Sequence, residues 1–115
     1  MRPKCAFLFF STFFLLPFFT IAQKQNHNWY FGHYAGLSFH TDPPTSLIGK
    51  LRAEDGVASV SDPDGNLLFY TDGRFIWDRK HDVMPHGSGL PALFSGQLVI
   101  APVPDHGSQY YIFTP

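Results

Sequence analysis

The sequence has little cysteine, little charge and almost no helical periodicity. Its one cysteine, Cys5, stands near the N-terminus, so residues 23–115 contain none. Disulfide bonds within that segment are therefore excluded, and its stability must come from sheet packing or from further chain. Charged residues make up 15% of the chain, and no basic run is longer than the pair Arg79 and Lys80. Because nucleic-acid binding needs a basic surface, we predict no nucleic-acid partner.

The pattern after residue 22 favours short strands. Apolar residues at helical spacing do not persist there, and ten glycines and eight prolines interrupt residues 23–115. Frequent glycine and proline are typical of short strands joined by turns. We predict an all-β fold of antiparallel meander sheets. The predicted strands are residues 29–31, 37–40, 57–61, 67–71, 74–78, 98–101 and 110–114.

The first 22 residues have the pattern of a secretory signal peptide. Arg2 and Lys4 precede an uncharged run at residues 6–21, and Ala22 supplies a small residue for cleavage. The run contains Pro17 and is shorter than the roughly 20 residues that span a membrane. We predict a signal peptide at 1–22, a domain at 23–115 and a secreted or cell-surface location without a membrane span after cleavage. A retained membrane anchor is the alternative.

The stretch SDPDGNLLFYTDGRFIWD, residues 61–78, predicts tight hairpins. Asp72 and Gly73 tolerate the positive φ angles of a two-residue type I′ turn. That turn pairs Thr71 with Arg74, Tyr70 with Phe75, Phe69 with Ile76, Leu68 with Trp77 and Leu67 with Asp78. Alternation then places Leu68, Tyr70, Phe75 and Trp77 on one face and Leu67, Phe69 and Ile76 on the other. Both faces are apolar, so we expect a further layer on each side.

An approximate repeat links two parts of the chain. PDGNLLFYT at residues 63–71 returns as PDHGSQYYIFT at 104–114, with offsets of 41 and 43 residues. Four-stranded propeller blades repeat every ~40 to 45 residues. We therefore predict about two blades of a β-propeller that residues 23–115 do not complete. Alone, such a piece would expose sheet edges and apolar faces and would tend to associate.

Several short sequence motifs resemble those of a known group of proteins. They are WYFG at residues 29–32, AGL at 35–37, GNLLFYTDG at 65–73, Trp77 and Met84, within segments 28–45, 61–78, 81–90 and 110–114. In this order they resemble the N-terminal region of large secreted, gliding-motility-associated proteins with a C-terminal sorting domain for type IX secretion. The resemblance implies a propeller-like module that is exported to the cell surface ahead of further repeats.

The acidic turn at residues 62–66 resembles a calcium-binding loop. Asp62, Asp64 and Asn66 place oxygen atoms at alternate positions around Gly65, as calcium ligands require. The alternative is a plain hairpin turn, which Pro63 suits and which the absence of a Glu at EF-hand spacing favours. His27, His33 and His40 lie too far apart in the sequence for a zinc motif. We predict no cofactor.

No set of residues in the sequence matches a known catalytic motif. Ser88 stands between glycines but lacks the context of a nucleophile elbow, and no catalytic residue is assigned. Trp29, Tyr30, Tyr34 and Trp77 are candidates for stacking on sugars or for core packing.

We predict a non-catalytic binding or adhesion module for an extracellular glycan or protein. A glycan-directed hydrolase using carboxylates such as Glu54 and Asp55, or a structural spacer, are alternatives. Three or more acidic side chains in one pocket would favour the hydrolase.

Overall fold

The computed structural model describes residues 23–91 and 96–114, and the predicted signal peptide lies outside them. In these ranges nine strands form three antiparallel sheets, and the only helical element is a 3₁₀ turn at Lys24–Asn26. The prediction of an all-β antiparallel fold is confirmed. No helix within the described ranges is both long and apolar enough to cross a membrane.

Each sheet is a meander in which consecutive strands are neighbours. The first sheet contains β1 (Asn28–Phe31), β2 (His33–Ser38) and β3 (Thr45–Arg52). The second contains β4 (Ala58–Ser61), β5 (Leu67–Thr71), β6 (Phe75–Asp78) and β7 (Val83–Ser88). The third contains β8 (Val99–Pro102) and β9 (Tyr110–Phe113).

Two of these strands are absent from the prediction, and both contain residues that usually interrupt strands. In β3 the interruption is Gly49, whose missing side chain leaves room for the Tyr30 ring: a Cβ there would lie 2.7 Å from Tyr30 Cδ1. In β7 it is Pro85, which an edge strand tolerates because one row of its N–H groups needs no partner. β7 is the outer strand of the second sheet.

The predicted register of the β5–β6 hairpin is wrong by two residues. Tyr70 pairs with Trp77 and Thr71 with Ile76, so four residues rather than two separate the paired strands. The turn is wider because side chains bind its backbone. Thr71 Oγ1 accepts the Gly73 N–H, and Asp72 Oδ1 accepts those of Arg74 and Phe75. A shift of two residues preserves the faces, so Tyr70 and Trp77 still share one.

A β-bulge overturns part of the predicted face assignment. The β4–β5 register moves from Val60 opposite Phe69 to Ser61 opposite Leu67, which leaves Leu68 as the extra residue. Leu67 consequently packs against the core on the side of Tyr70. Leu68 instead lines, with Phe69, a cavity of about 470 Å³ on the opposite side. The bulge thus exchanges the two leucines between faces.

The second sheet is covered on both faces, as its two apolar sides require. Toward the first sheet, Tyr70 stacks on Tyr30 within a core that includes Leu51 and Trp77. Toward the third sheet, the Phe69 ring meets Tyr110 edge-on at 5.5 Å. The three sheets therefore form a series with the four-stranded sheet in the middle.

Single contacts join the strands of neighbouring sheets. Asn28, the first residue of β1, bonds to Ser61, the last residue of β4. Gly56 and Gly96, which precede β4 and β8, are in close backbone contact, so those strands begin side by side. Both copies of the sequence repeat form hairpins, β4–β5 and β8–β9.

Candidate functional site

A cleft of about 440 Å³ opens between the first and second sheets. Its volume lies within the roughly 300–1,000 Å³ of small-ligand sites. Its lining combines cations, carboxylates and aromatic rings. The residues are His33, Lys50, Arg52, Glu54, Asp55, Asp72, Arg74, Phe75 and Trp77.

One wall of the cleft comes from the end of β3. Here alternate residues face opposite ways: Leu51 is fully buried in the core, while Lys50 and Arg52 on either side are exposed. The Arg52 guanidinium lies 5.9 Å from the centre of the Tyr34 ring, which extends this wall. Because side chains alternate along a strand, Lys50 and Arg52 both reach the cleft, while Leu51 between them packs in the core.

The opposite wall is the β5–β6 turn. Thr71 Oγ1 donates to the Phe75 carbonyl at 2.7 Å, and the Asp72 bonds described above complete the turn. These bonds hold Arg74 and Phe75 at the mouth of the cleft. Both side chains are exposed, so a ligand has access to a guanidinium and to an aromatic ring.

Trp77 lines the cleft between the two walls, and fully buried Tyr70 supports it from beneath. Tyr70 stacks on Trp77 with ring centres 5.4 Å apart, and its hydroxyl accepts the Lys50 N–H at 3.0 Å and is hydrogen-bonded to His81 Nδ1 at 2.9 Å. Burial raises the pKa of Tyr70, outweighing the opposing effect of the Lys50 hydrogen bond. Burial, and next the neighbouring Tyr70, also raise the pKa of Tyr30. Tyr70 therefore links Trp77 to β3.

Three acidic residues line the cleft. Their number is the one that would favour a hydrolase, for which three or more acidic side chains in one pocket are expected. Glu54 and Asp55 come from the same exposed bend after β3. Asp72 stands on the other wall, but its Oδ1 already accepts two backbone N–H groups. Glycoside cleavage needs two carboxyl groups flanking the bond to be broken. Glu54 and Asp55, which take no part in the β5–β6 turn, both lie on one side of the cleft.

The predicted calcium ligands form a closed turn. Asp62 Oδ1 accepts the N–H groups of Asp64 and Asn66, at 3.0 and 2.8 Å, and the Asn66 amide donates to Oδ2 at 3.1 Å. Hydrogen bonds from the Asn66 side chain, and next from its backbone, lower the pKa of Asp62. Asp62 and Asn66 therefore face each other, which favours the plain turn. Within residues 23–91 and 96–114, no three His, Cys, Asp or Glu side chains are grouped to hold a metal.

A polar cluster secures this turn to the first sheet. Buried Asn28 donates to Ser61 Oγ at 2.9 Å and to the Gly65 carbonyl at 2.8 Å. His40 Nε2 lies 2.7 Å from the same carbonyl, and its ring meets that of His27 edge-on. Gly65 has a φ of +92°, and a Cβ there would lie 2.7 Å from His40 Cε1. This cluster joins the sheets away from the cleft.

The other candidates from the sequence are scattered. Tyr30 and Trp77 are buried and serve the core, whereas Trp29 is exposed on the far side of the first sheet and Tyr34 borders the cleft through Arg52. Ser88 is exposed at the end of β7. The structure therefore brings Glu54, Asp55, His33 and Trp77 together at the cleft, whereas Trp29 and Ser88 do not line it.

Sequence reasoning missed the three cationic residues of the cleft. Lys50 and Arg52 lie on β3, a strand that the sequence does not predict because it contains Gly49. The alternation of polar and apolar residues from Lys50 to Arg52 could have indicated this strand. The predicted two-residue turn places Arg74 inside a strand, whereas the wider turn of the structure contains it. Comparison with protein-family models, with curated proteins and with solved structures gave no match.

Proposed function

We propose that this chain is a secreted, non-catalytic binding module whose ligand is a carbohydrate held in the cleft between the first and second sheets. The observation that carries the proposal is the lining: cations on both walls, carboxylates on one bend and an exposed aromatic ring at the mouth. This combination suits a polar ligand with an apolar face.

Each group in the cleft has a role toward a sugar. Lys50, Arg52 and Arg74 can only donate hydrogen bonds, while the carboxylates of Glu54 and Asp55 accept them. Sugar hydroxyls do both, so they satisfy the two kinds of group together. The exposed ring of Phe75 offers a surface on which the C–H face of a sugar packs. Trp77 in the lining is stacked on buried Tyr70, which anchors it beneath the cleft.

The sheet arrangement supports a propeller-like scaffold for this module. β8 begins 41 residues after β4, and β9 begins 43 residues after β5, matching the sequence repeat. The second sheet has four antiparallel strands in meander order, as a propeller blade has. On this proposal the three sheets are successive blades, and the cleft lies between the first two.

Export to the cell surface is part of the same proposal. It is supported by the signal-peptide pattern of residues 1–22 and by the resemblance to secreted gliding-motility-associated proteins. Fractionation of cells producing the tagged chain tests it directly. Recovery in the medium or at the surface, with residues 1–22 removed, is the expected result, and an unprocessed chain retained in the cytoplasm contradicts it.

A glycan hydrolase is the second candidate, because three acidic residues line the cleft. We favour binding because Glu54 and Asp55 share one bend and Asp72 is engaged by the turn. The two functions differ in one measurement. A hydrolase would shorten an oligosaccharide during prolonged incubation and would lose that activity in Glu54→Gln, whereas a binding module leaves the oligosaccharide intact.

The binding itself is tested with a panel of neutral and acidic oligosaccharides by calorimetry. We expect Arg74→Ala and Phe75→Ala to weaken binding of any saccharide that the unmodified chain binds, each by about 10-fold or more. Lys24→Ala is the matched control, since Lys24 is an exposed cation outside the cleft. Equal loss in the control, or no binding to any saccharide, contradicts the proposal.

A further inference from the structure

A second cavity, of about 470 Å³, lies between the second and third sheets, and three hairpin turns line it. They are the β4–β5, β6–β7 and β8–β9 turns, so we call it the turn cavity. The cleft is lined by the β5–β6 turn instead, which lies at the other end of the second sheet because alternate turns of a meander are at opposite ends. Among the described residues, the two sites have no lining residue in common. The volume of the turn cavity is within the range of small-ligand sites.

The more buried part of this lining is apolar. Phe69 is buried and Leu68 half-buried, and the half-buried ring of Tyr110 meets Phe69 edge-on. Leu68 lines the turn cavity because the bulge turns it away from the core. Pro63 and Met84, both exposed, extend the apolar lining. An aromatic or branched aliphatic group that packs on this surface is removed from water, which favours its binding.

Two carboxylates in the lining are bound to their own turns. Asp62 Oδ1 accepts two backbone N–H groups of the β4–β5 turn, and Asp78 Oδ1 accepts two of the β6–β7 turn. Arg79 and Lys80 also line the turn cavity, and both are exposed in the β6–β7 turn that Asp78 holds. Their side chains can only donate hydrogen bonds. A ligand therefore meets two cationic donors beside carboxylates that already accept hydrogen bonds.

We propose that the turn cavity binds a small organic acid, whose apolar group packs on Leu68 and Phe69 and whose carboxylate is held by Arg79 and Lys80. Hydrogen bonds between cationic side chains and a carboxylate are charge-assisted and therefore strong. Because two acidic and two basic residues line the cavity, charge alone does not attract an anion strongly. The ligand consequently needs its apolar group as well as its carboxylate. This proposal does not depend on carbohydrate binding in the cleft.

The turns around the cavity are hydrogen-bonded without a ligand. Besides the bonds of the two carboxylates, the His106 N–H donates to the Val103 carbonyl and the Gln109 N–H to the His106 carbonyl in the β8–β9 turn. Gly107 and Ser108, between these bonds, complete the lining. A site whose backbone is already ordered loses little conformational entropy when a ligand binds.

Cinnamate is a suitable probe, because it joins a phenyl group to a carboxylate. Cinnamamide has nearly the same shape without the charge, cinnamylamine has the opposite charge, and acetate lacks the apolar group. The chain is expressed from its full reading frame, recovered in the form that the host exports and titrated with each compound by nuclear magnetic resonance. We expect cinnamate to bind about 10-fold or more tightly than each of the other three.

Substitutions locate the binding in the turn cavity. The double variant Arg79→Gln, Lys80→Gln should bind cinnamate only as weakly as cinnamamide, whereas Leu68→Ala should weaken the binding of both compounds. Met84→Ala repeats the apolar test should Leu68→Ala misfold, as judged by circular dichroism. Lys24→Gln is the matched control, since Lys24 is an exposed cation that lines neither site, and it should bind cinnamate like the unmodified chain.

Four outcomes overturn the proposal. They are an unmodified chain that does not bind cinnamate, equal binding of cinnamate and cinnamamide, a double variant that keeps the preference for the acid, and an equal loss of binding in Lys24→Gln.

Discussion

Tyr30 and Tyr70 lie face to face, with ring centres 4.4 Å apart and planes inclined by 13°. Tyr30 belongs to β1 and Tyr70 to β5, so this stack is the point at which the first and second sheets meet. Tyr70 also stacks on Trp77 beneath the cleft. The packing of the sheets and the shape of the candidate site therefore depend on the same ring.

Removing the Tyr70 hydroxyl should destabilise the fold without removing the stack. In Tyr70→Phe the Lys50 N–H and His81 Nδ1 lose their partner, so we expect a loss of about 1–3 kcal/mol in the free energy of unfolding. Urea denaturation followed by circular dichroism measures it. Tyr34→Phe is the control, because Tyr34 is largely exposed. Equal stability of Tyr70→Phe and the unmodified chain would show that these bonds contribute nothing.

Adding one methyl group at Gly49 should disturb the same stack. A Cβ at Gly49 would lie 2.7 Å from Tyr30 Cδ1 and 2.9 Å from Cε1. Since the Tyr30 ring is stacked on Tyr70, whose hydroxyl would lie 3.4 Å from the same Cβ, we expect Gly49→Ala to cost about 1–3 kcal/mol. The matched control is Gly107→Ala, where the added Cβ meets no atom within 4 Å. Thermal unfolding of both variants decides the question, and an unchanged melting temperature for Gly49→Ala contradicts the packing described.

The turn that begins at Asp62 should stabilise the fold only while its carboxylate is ionised. Hydrogen bonds from Asn66 and its neighbours lower the pKa of Asp62 below 3.8 in the folded chain. The stabilisation is therefore complete above pH 3.8 and is lost as the pH falls through the lowered pKa. We expect Asp62→Ala to melt below the unmodified chain at neutral pH, with the difference shrinking in acid. Asp64→Ala is the control, and a difference that is independent of pH contradicts this account.

The two stacked tyrosines should ionise late and together with unfolding. Burial raises the pKa of Tyr30 and of Tyr70 above 10.0 in the folded chain. Their contribution to stability is therefore present below pH 10.0 and lost as the pH rises through the folded values. We expect Tyr30 and Tyr70 to form phenolate above pH 10.0, as the β-sheet circular dichroism disappears. Absorbance titration of Tyr30→Phe should show a smaller fraction that ionises together with unfolding, and an unchanged fraction contradicts the prediction.

Local sequence determined the strand character of the chain and most of its turns. Frequent glycine and proline argued against long helices after residue 22, and the pairs Asp64-Gly65 and Asp72-Gly73 marked the turns after β4 and β5. The double-sided apolar pattern of residues 67–78 required a covering layer above and below, and the structure supplies both. These features depend on neighbours along the chain, so they are readable from it.

Tertiary structure decided what lies between the sheets. The bulge at Leu68 changed the face of a leucine, and Gly49 became a strand residue because the Tyr30 ring occupies the space its side chain would need. The cleft brings Arg52 of the first sheet opposite Arg74 of the second, and no spacing in the sequence encodes that meeting. Periodicity reports which residues share a face of one strand. The contacts of that face depend on how separate sheets pack, which is a property of the whole chain.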